Sequence, residues 1–386
     1  MPIRTLTLVL TSDCNLRCEY CYLQRNRTAK TRWPILSEAL DVLLPGRADE
    51  LEVVFTGGEP LLEFPTLKRV VEHVDRLRGN GRSIRWRLLT NGLLLTDEHL
   101  AFFDGHQFQI SLSFDGAPPA QAARGAGTFE RLDALFSRIS DRHQQLWHLR
   151  LKTALTLSPH NVPFFAESIA YLARKGVRTV SVAPAMGQGG WHPDRRAELD
   201  TQFQRVSELL ARHYARTGLV PLTMFRKTRQ AGPEAPPEWL CLAHRGENLT
   251  IDVDGQAYGC VLATASYQQG TAPAMRPVVA SLWAGRPGAS GFDERPAGMT
   301  RAAEACGSFQ FSSRRHSSYG RCAECRWAGQ CQVCPLAAAI DPEWVDPHRV
   351  PDFLCAFNQV RLAHIDRFPC QYDPLTCLAG ETSPAS

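Results

Sequence analysis

Thr11-Ser12-Asp13-Cys14-Asn15-Leu16-Arg17-Cys18-Glu19-Tyr20-Cys21-Tyr22 follows the run Thr5-Leu6-Thr7-Leu8-Val9-Leu10 without a break. The run is short, apolar and β-branched, as a strand is. The cysteines behind it are spaced C-x3-C-x2-C. Three close thiolates on one loop can ligate three irons of a cubane cluster and leave the fourth iron open. The amine and carboxylate of a substrate can chelate an open iron. Structural zinc needs four ligands, and no nearby histidine or fourth cysteine completes such a set.

The composition agrees with this reading. The chain has 386 residues, 44% hydrophobic and 21% charged, enough for a large domain with a smaller one beside it. The net charge of +4 is small, and no basic run with interleaved aromatics points to nucleic acid. The apolar N-terminal run is too short and Thr-rich for a secretory segment, and no stretch approaches a membrane span. A cytoplasmic location is therefore expected. A reducing cytoplasm disfavours disulfides, so the thirteen cysteines are read as ligands for metals or clusters.

Outward from the thiol loop, β-rich runs occur at 5–11, 52–56, 83–90, 108–114, 149–157 and 178–183. Segments with helical periodicity lie between them, as at 61–78 and 162–175. Repeated strand-then-helix units predict parallel strands joined by crossover helices. Six units are fewer than the eight of a closed barrel, so an open α/β barrel with a lateral mouth is expected. After about residue 225 the pattern changes. Gly232-Pro233-Glu234-Ala235-Pro236-Pro237 reads as a linker, and ten of the thirteen cysteines lie beyond it. The expected division is a core at 1–225, a linker at 226–238, a cysteine-rich domain at 239–370 and a tail at 371–386.

A second motif sits at the end of the second strand. Gly57-Gly58-Glu59-Pro60 follows Glu52-Val53-Val54-Phe55-Thr56 directly. Glycines let backbone groups approach a ligand closely, and a glutamate there can pair with an ammonium. Together, CNLRCEYC and GGEP resemble the radical S-adenosylmethionine superfamily. The resemblance implies a partial (β/α)6 TIM-like barrel and a [4Fe–4S] cluster on Cys14, Cys18 and Cys21 that cleaves S-adenosylmethionine to a 5′-deoxyadenosyl radical. It implies that Tyr20 lies against the adenine and that Gly57, Gly58, Glu59 and Pro60 hold the amino group. Ser111-Leu112-Ser113-Phe114-Asp115-Gly116 resembles the SLDG-type segment of the peptide-modifying branch. By that resemblance Ser113 contacts the cofactor's polar end and Arg124 pairs with its carboxylate. Thr90-Asn91-Gly92 is similar to a family turn.

The later cysteines have an order of their own. Cys241, Gly255 and Cys260 precede Cys322-x2-Cys325-x5-Cys331-x2-Cys334, and Cys355 follows. Residues 249–259 alternate around Asp254-Gly255, a hairpin signal. This pattern resembles the SPASM domain, which binds up to two auxiliary [4Fe–4S] clusters, except that the last inner spacing is x2 rather than x3. The resemblance gives Cys241, Cys260 and Cys334 to the first cluster and Cys322, Cys325, Cys331 and Cys355 to the second. A zinc ribbon on the four inner cysteines has only five residues between its pairs, too few for the connecting strands. Cys306, Cys370 and Cys377 fall outside the pattern, with Cys306 a candidate extra ligand.

The function expected from the resemblance is that of a peptide maturase. It abstracts a side-chain hydrogen from a ribosomally made precursor peptide and installs a carbon–carbon, cyclophane-type or thioether crosslink. A low-potential flavodoxin or ferredoxin is the expected donor. The core begins near residue 1, so any peptide-recognition protein is expected to be separate. Formylglycine formation of the sulfatase-maturase kind is an alternative. In that group an aspartate follows the hairpin cysteine as base, whereas Val261 follows Cys260 here. A cluster-bearing electron carrier is the third reading, but it needs neither an open iron nor an amine clamp. No catalytic base is assigned.

Overall fold

A computed structural model describes residues 3–23, 29–44, 50–77, 83–186, 190–226, 247–267, 283–285 and 350–369, together with 322, 324–328, 330, 331, 333, 334 and 337. Six parallel strands form its centre: β1 (Thr5–Thr11), β2 (Glu50–Gly57), β3 (Ser83–Thr90), β4 (Gln109–Ser113), β5 (Leu151–Leu157) and β6 (Val180–Pro184). They neighbour one another in chain order. The intervening helices are α1 (Trp33–Leu43), α2 (Phe64–Leu77), α3 (Asp97–Gly105), the short α4 (Pro118–Gln121), α5 (Thr128–Arg142) and α6 (Phe165–Arg174), and α7 (Arg196–Thr217) follows β6. This is the α/β order that the strand–helix periodicity predicts.

Alternation along the strands sorts side chains between the two sheet faces. Leu6, Leu8, Leu10, Val53, Phe55, Leu88, Ile110 and Leu112 join the core, which also takes in Leu67, Val70, Val71 and Val74 of α2. The opposite face carries small or polar residues, among them Thr7, Thr56, Ser111, Ser113, Ala154 and Thr156. On that face Leu89 is 38% exposed, whereas Val9 and Val54 are buried. Binding sites in parallel α/β folds lie at the C-terminal strand ends, where the thiol loop and Gly57-Gly58 both fall.

Several predicted elements shift at their starts: the second strand begins at Glu50, the sixth at Val180, and the helix read at 162–175 opens as a 3-10 turn over Val162–Phe164. The fifth strand begins at Leu151, because Leu146–Arg150 forms a π-helical turn that buries Leu146 and Trp147. The helix read at 61–78 opens as a 3-10 turn over Pro60–Glu63, with proline in the first position where its missing N–H costs nothing.

The 249–259 hairpin forms as β7 (Asn248–Ile251) and β8 (Ala257–Tyr258), turning at Gly255, whose φ is +77°. It does not stand apart from the core. β7 pairs in parallel with β1, with Leu8 opposite both Phe55 and Ile251. Among the described residues, the sheet has nine strands with β9 (Trp283–Gly285). A last helix, α8 (Asp352–Arg367), packs on α7. Phe203 meets Phe357 with ring centres 5.8 Å apart, and His364 Nε2 lies 3.1 Å from Asp200 Oδ1.

Candidate active site

The thiol loop is held from below by the end of β2. Gly58 N–H donates to Thr11 O and Glu59 N–H donates to Asp13 O, both at 2.8 Å. Contact this close excludes side chains. A Cβ on Gly57 would lie 2.2 Å from Thr11 O, and one on Gly58 would lie 2.0 Å from Asp13 O. The two glycines let backbone dock on backbone, which sets Glu59 beside the loop.

Glu59 is completely buried. Its Oε1 accepts from the Thr90 hydroxyl at 2.7 Å and from Leu61 N–H at 3.1 Å, and its Oε2 accepts from Asn91 N–H at 2.8 Å. Burial pushes its pKa up to about 7 against the pull of these donors. A carboxylate in that state gains from a cationic ligand. Asn91 also reaches the loop itself: its Nδ2 donates to Asn15 Oδ1 at 2.7 Å and lies 3.8 Å from Cys14 Sγ. Thr90 and Asn91 thus serve Glu59 and the loop together.

Cys14, Cys18 and Cys21 are half-buried thiols on this loop, none of them in a disulfide. Burial pushes Cys14 up to about 11, opposed by the Leu16 N–H that donates to its sulfur at 3.4 Å, and the other two thiolates raise it further. Burial likewise raises Cys18, opposed by Arg124. Three soft ligands that repel one another when ionised suit a positively charged centre. Iron of a [4Fe–4S] cluster fits that donor set.

One central residue lies within the SLDG-type segment without a role read for it. Asp115 is wholly buried. It accepts from Arg124 Nε at 3.0 Å and Nη2 at 2.9 Å, from Thr156 N–H at 2.9 Å, and from the Tyr20 hydroxyl. Arg124, expected to face a ligand carboxylate, here forms a fork with this internal one. Its guanidinium stands 5.3 Å from the Tyr20 ring centre, so it covers part of the aromatic surface expected against adenine. Ser113 sits half-buried at the end of β4, opposite Ala154. The backbone runs on regularly, with Phe114 N–H donating to Ala154 O at 3.0 Å. Ser113-Phe114-Asp115-Gly116 is therefore one unbroken segment. The signal for Asp115 was its place before Gly116, whose φ is +95° and whose Cβ position lies 2.3 Å from Ser168 Cβ.

The C-terminal thiols form a second group. Burial pushes Cys331 up to about 12 and Cys322 to about 11, and charge on Cys355 and Cys325 raises both. Cys322, Cys325, Cys331 and Cys355 therefore lie within electrostatic reach of one another. Gln359 Nε2 donates toward Cys355 Sγ at 3.4 Å and lies 3.8 Å from Cys325 Sγ, while its Oε1 accepts from Arg196 of α7 at 2.7 Å. Cys260 precedes the short turn Val261–Ala263 and Cys334 is half-buried. Cys241, Cys306, Cys370, Cys377, most of the 226–238 linker and the tail lie outside the described residues. Among the described residues, no three His, Cys, Asp or Glu side chains form a single-ion site, and no helix is long and apolar enough to cross a membrane.

Residues 8–149 match the Radical SAM superfamily, which binds a [4Fe–4S] cluster and S-adenosylmethionine. A serine-type anaerobic sulfatase-maturating enzyme of Klebsiella aerogenes is 25% identical over 294 residues, 67% of each chain. Among solved structures, anSMEcpe with bound AdoMet and the Kp18Cys peptide superposes with a TM-score of 0.70 at 13% identity, over 95% of this chain and 98% of that one. SuiB of Streptococcus suis bound to its precursor peptide SuiA gives 0.58 at 12% identity, over 92% and 76%. At such identities the structural likeness is one of fold. Family match, fold and relatives agree: the chain carries a Radical SAM domain, and its relatives include sulfatase-maturating and SPASM-type peptide-modifying radical SAM enzymes.

Proposed function

We propose that this enzyme is a peptide maturase that takes a side-chain hydrogen from a ribosomally made precursor peptide and closes a crosslink. The observation that carries the reading is the docking of Gly57-Gly58-Glu59 on the Cys14–Cys21 loop. It sets a buried carboxylate beside three thiols, which suits a ligand with a cationic amine close to a cluster. A [4Fe–4S] cluster with S-adenosylmethionine supplies a 5′-deoxyadenosyl radical, strong enough to take hydrogen from carbon. The chain's residues do the holding and orienting. Cys14, Cys18 and Cys21 ligate the cluster. Glu59 takes the ammonium, with Gly57, Gly58 and Pro60 shaping its turn. Arg124 and Ser113 face the polar end, and Tyr20 closes one side.

In this reading residues 1–225 are the radical core and 239–370 the SPASM region, with Cys241, Cys260 and Cys334 on one auxiliary cluster and Cys322, Cys325, Cys331 and Cys355 on another. Those clusters accept the surplus electron, and a flavodoxin or ferredoxin supplies the first one. Val261 directly after Cys260 favours crosslinking over formylglycine formation, since valine cannot take a proton. Co-expression with the neighbouring peptide gene tests this: mass spectrometry should find a loss of two hydrogens per turnover. Loss of sulfur with gain of oxygen at a cysteine would overturn it.

A further inference from the structure

We infer that Asp115 is the positioning residue that fixes both the Arg124 guanidinium and the Tyr20 ring, and so ties the thiol loop to the site's anion-binding arginine. The inference rests on the reading of Arg124 as a ligand group.

Four elements meet at this carboxylate. Tyr20 comes from the thiol loop, between Cys18 and Cys21. Arg124 comes from the 3-10 turn Ala122–Arg124, Thr156 from β5, and Asp115 from the end of β4. Arg124 spends Nε and Nη2 on Asp115, at 3.0 and 2.9 Å, and Nη2 also reaches the Thr156 hydroxyl at 3.4 Å. That grip fixes the plane of the guanidinium and leaves Nη1 for an incoming anion. A guanidinium presents its donors as a rigid fork, so fixing one edge aims the other. Asp115 is held in turn: Thr156 N–H donates to its Oδ1, and Gln121 Oε1 accepts from its N–H at 2.8 Å.

The loop is tied to the same turn a second time, where Glu19 N–H donates to Ala123 O at 2.9 Å. The segment from Cys18 to Cys21 and the segment around Arg124 are therefore clamped as one unit. An anion drawn to Arg124 is registered against the thiol loop through Asp115. Supporting residues of this kind change ligand affinity while leaving the primary ligands in place.

The test uses anaerobically reconstituted full-length protein with S-adenosylmethionine as probe, followed by calorimetry and by the electron paramagnetic resonance of the reduced cluster. Asp115→Asn should bind S-adenosylmethionine about 10- to 100-fold more weakly. Iron content should stay at the wild-type value, and the spectral change on adding S-adenosylmethionine should be displaced to correspondingly higher concentration. Tyr20→Phe keeps the ring and removes one donor, so it should weaken binding less. The double variant should be no weaker than Asp115→Asn alone, because both report on one carboxylate. Wild-type affinity and spectral response in Asp115→Asn would overturn the inference. Should that variant fail to fold around an unpaired Arg124, unchanged affinity in Tyr20→Phe overturns it equally. A wild-type protein that carries its cluster and binds no S-adenosylmethionine sinks the reading of the site itself, which is a different result.

Discussion

Asn91 donates its side-chain N–H to the Oδ1 of Asn15 across 2.7 Å, which ties the turn after β3 to the thiol loop. The same amide nitrogen lies 3.8 Å from Cys14 Sγ. Asn91→Ala should free the loop while sparing the strands beneath it. Iron should leave the N-terminal site to a chelator about 10-fold faster. Asn15→Ala should give a smaller effect, and the double variant should match Asn91→Ala. Additive losses would show that the two residues act separately.

Glu59 makes a prediction about pH. Its pKa in the folded chain, about 7, is above its ordinary value of 4.5 because it is buried. Between those values the folded state holds a proton that the unfolded state has released. Stability of the cofactor-free protein should therefore fall as pH rises from about 4.5 to about 7 and then level off. Glu59→Gln should flatten that slope in denaturant titrations. S-adenosylmethionine binding near pH 7 should release more protons in the wild type than in the variant, as calorimetry in buffers of different ionisation enthalpy will read.

Gly58→Ala should be severe. The new methyl would meet Asp13 O at 2.0 Å, so the loop or the strand end must move. A loss of about 1–3 kcal/mol is expected, with iron per chain falling further than stability does. Gly105, which has no atom within 4 Å of its Cβ position, is the control, and Gly105→Ala should be neutral.

Gln359 concerns the second thiol group. N–H···S hydrogen bonds stabilise the more negative, reduced state of a cluster. Gln359→Leu should therefore move the midpoint potential of a cluster held by Cys322, Cys325, Cys331 and Cys355 to a more negative value. Arg196→Met should shift it the same way by less, since Arg196 acts through the Gln359 carbonyl at 2.7 Å. A potentiometric titration that shows no shift in either variant would falsify this.

Much of the fold is legible because strand and helix periods differ. Thr5–Thr11 and Ser83–Thr90 form strands with the bounds that alternation and β-propensity predict. The glycines of GGEP were legible as positions of close approach, though not what approaches them. The approaching atoms are backbone carbonyls of the thiol loop, and sequence carries no sign of which carbonyl will be near. Asp115 was missed for a related reason. Its partners Tyr20, Arg124 and Thr156 are spread over 137 positions, and only the parallel stacking of β4 and β5 brings them to one point. The hairpin at Asp254-Gly255 was local and readable. Its pairing with β1 was not, because four residues of β7 specify no partner by pattern alone.

That pairing bears on how the chain can be cut. β1 has β2 on one side and β7 on the other, so the strand that launches the thiol loop is an interior one only because the cysteine-rich half lends it a neighbour. Removing residues beyond 225 would bare a row of N–H and C=O groups along Thr5–Leu8, a ready template for another chain. A piece that keeps β1 paired on both edges must extend past Ile251. The pairing of β7 with β1 lies inside the sheet.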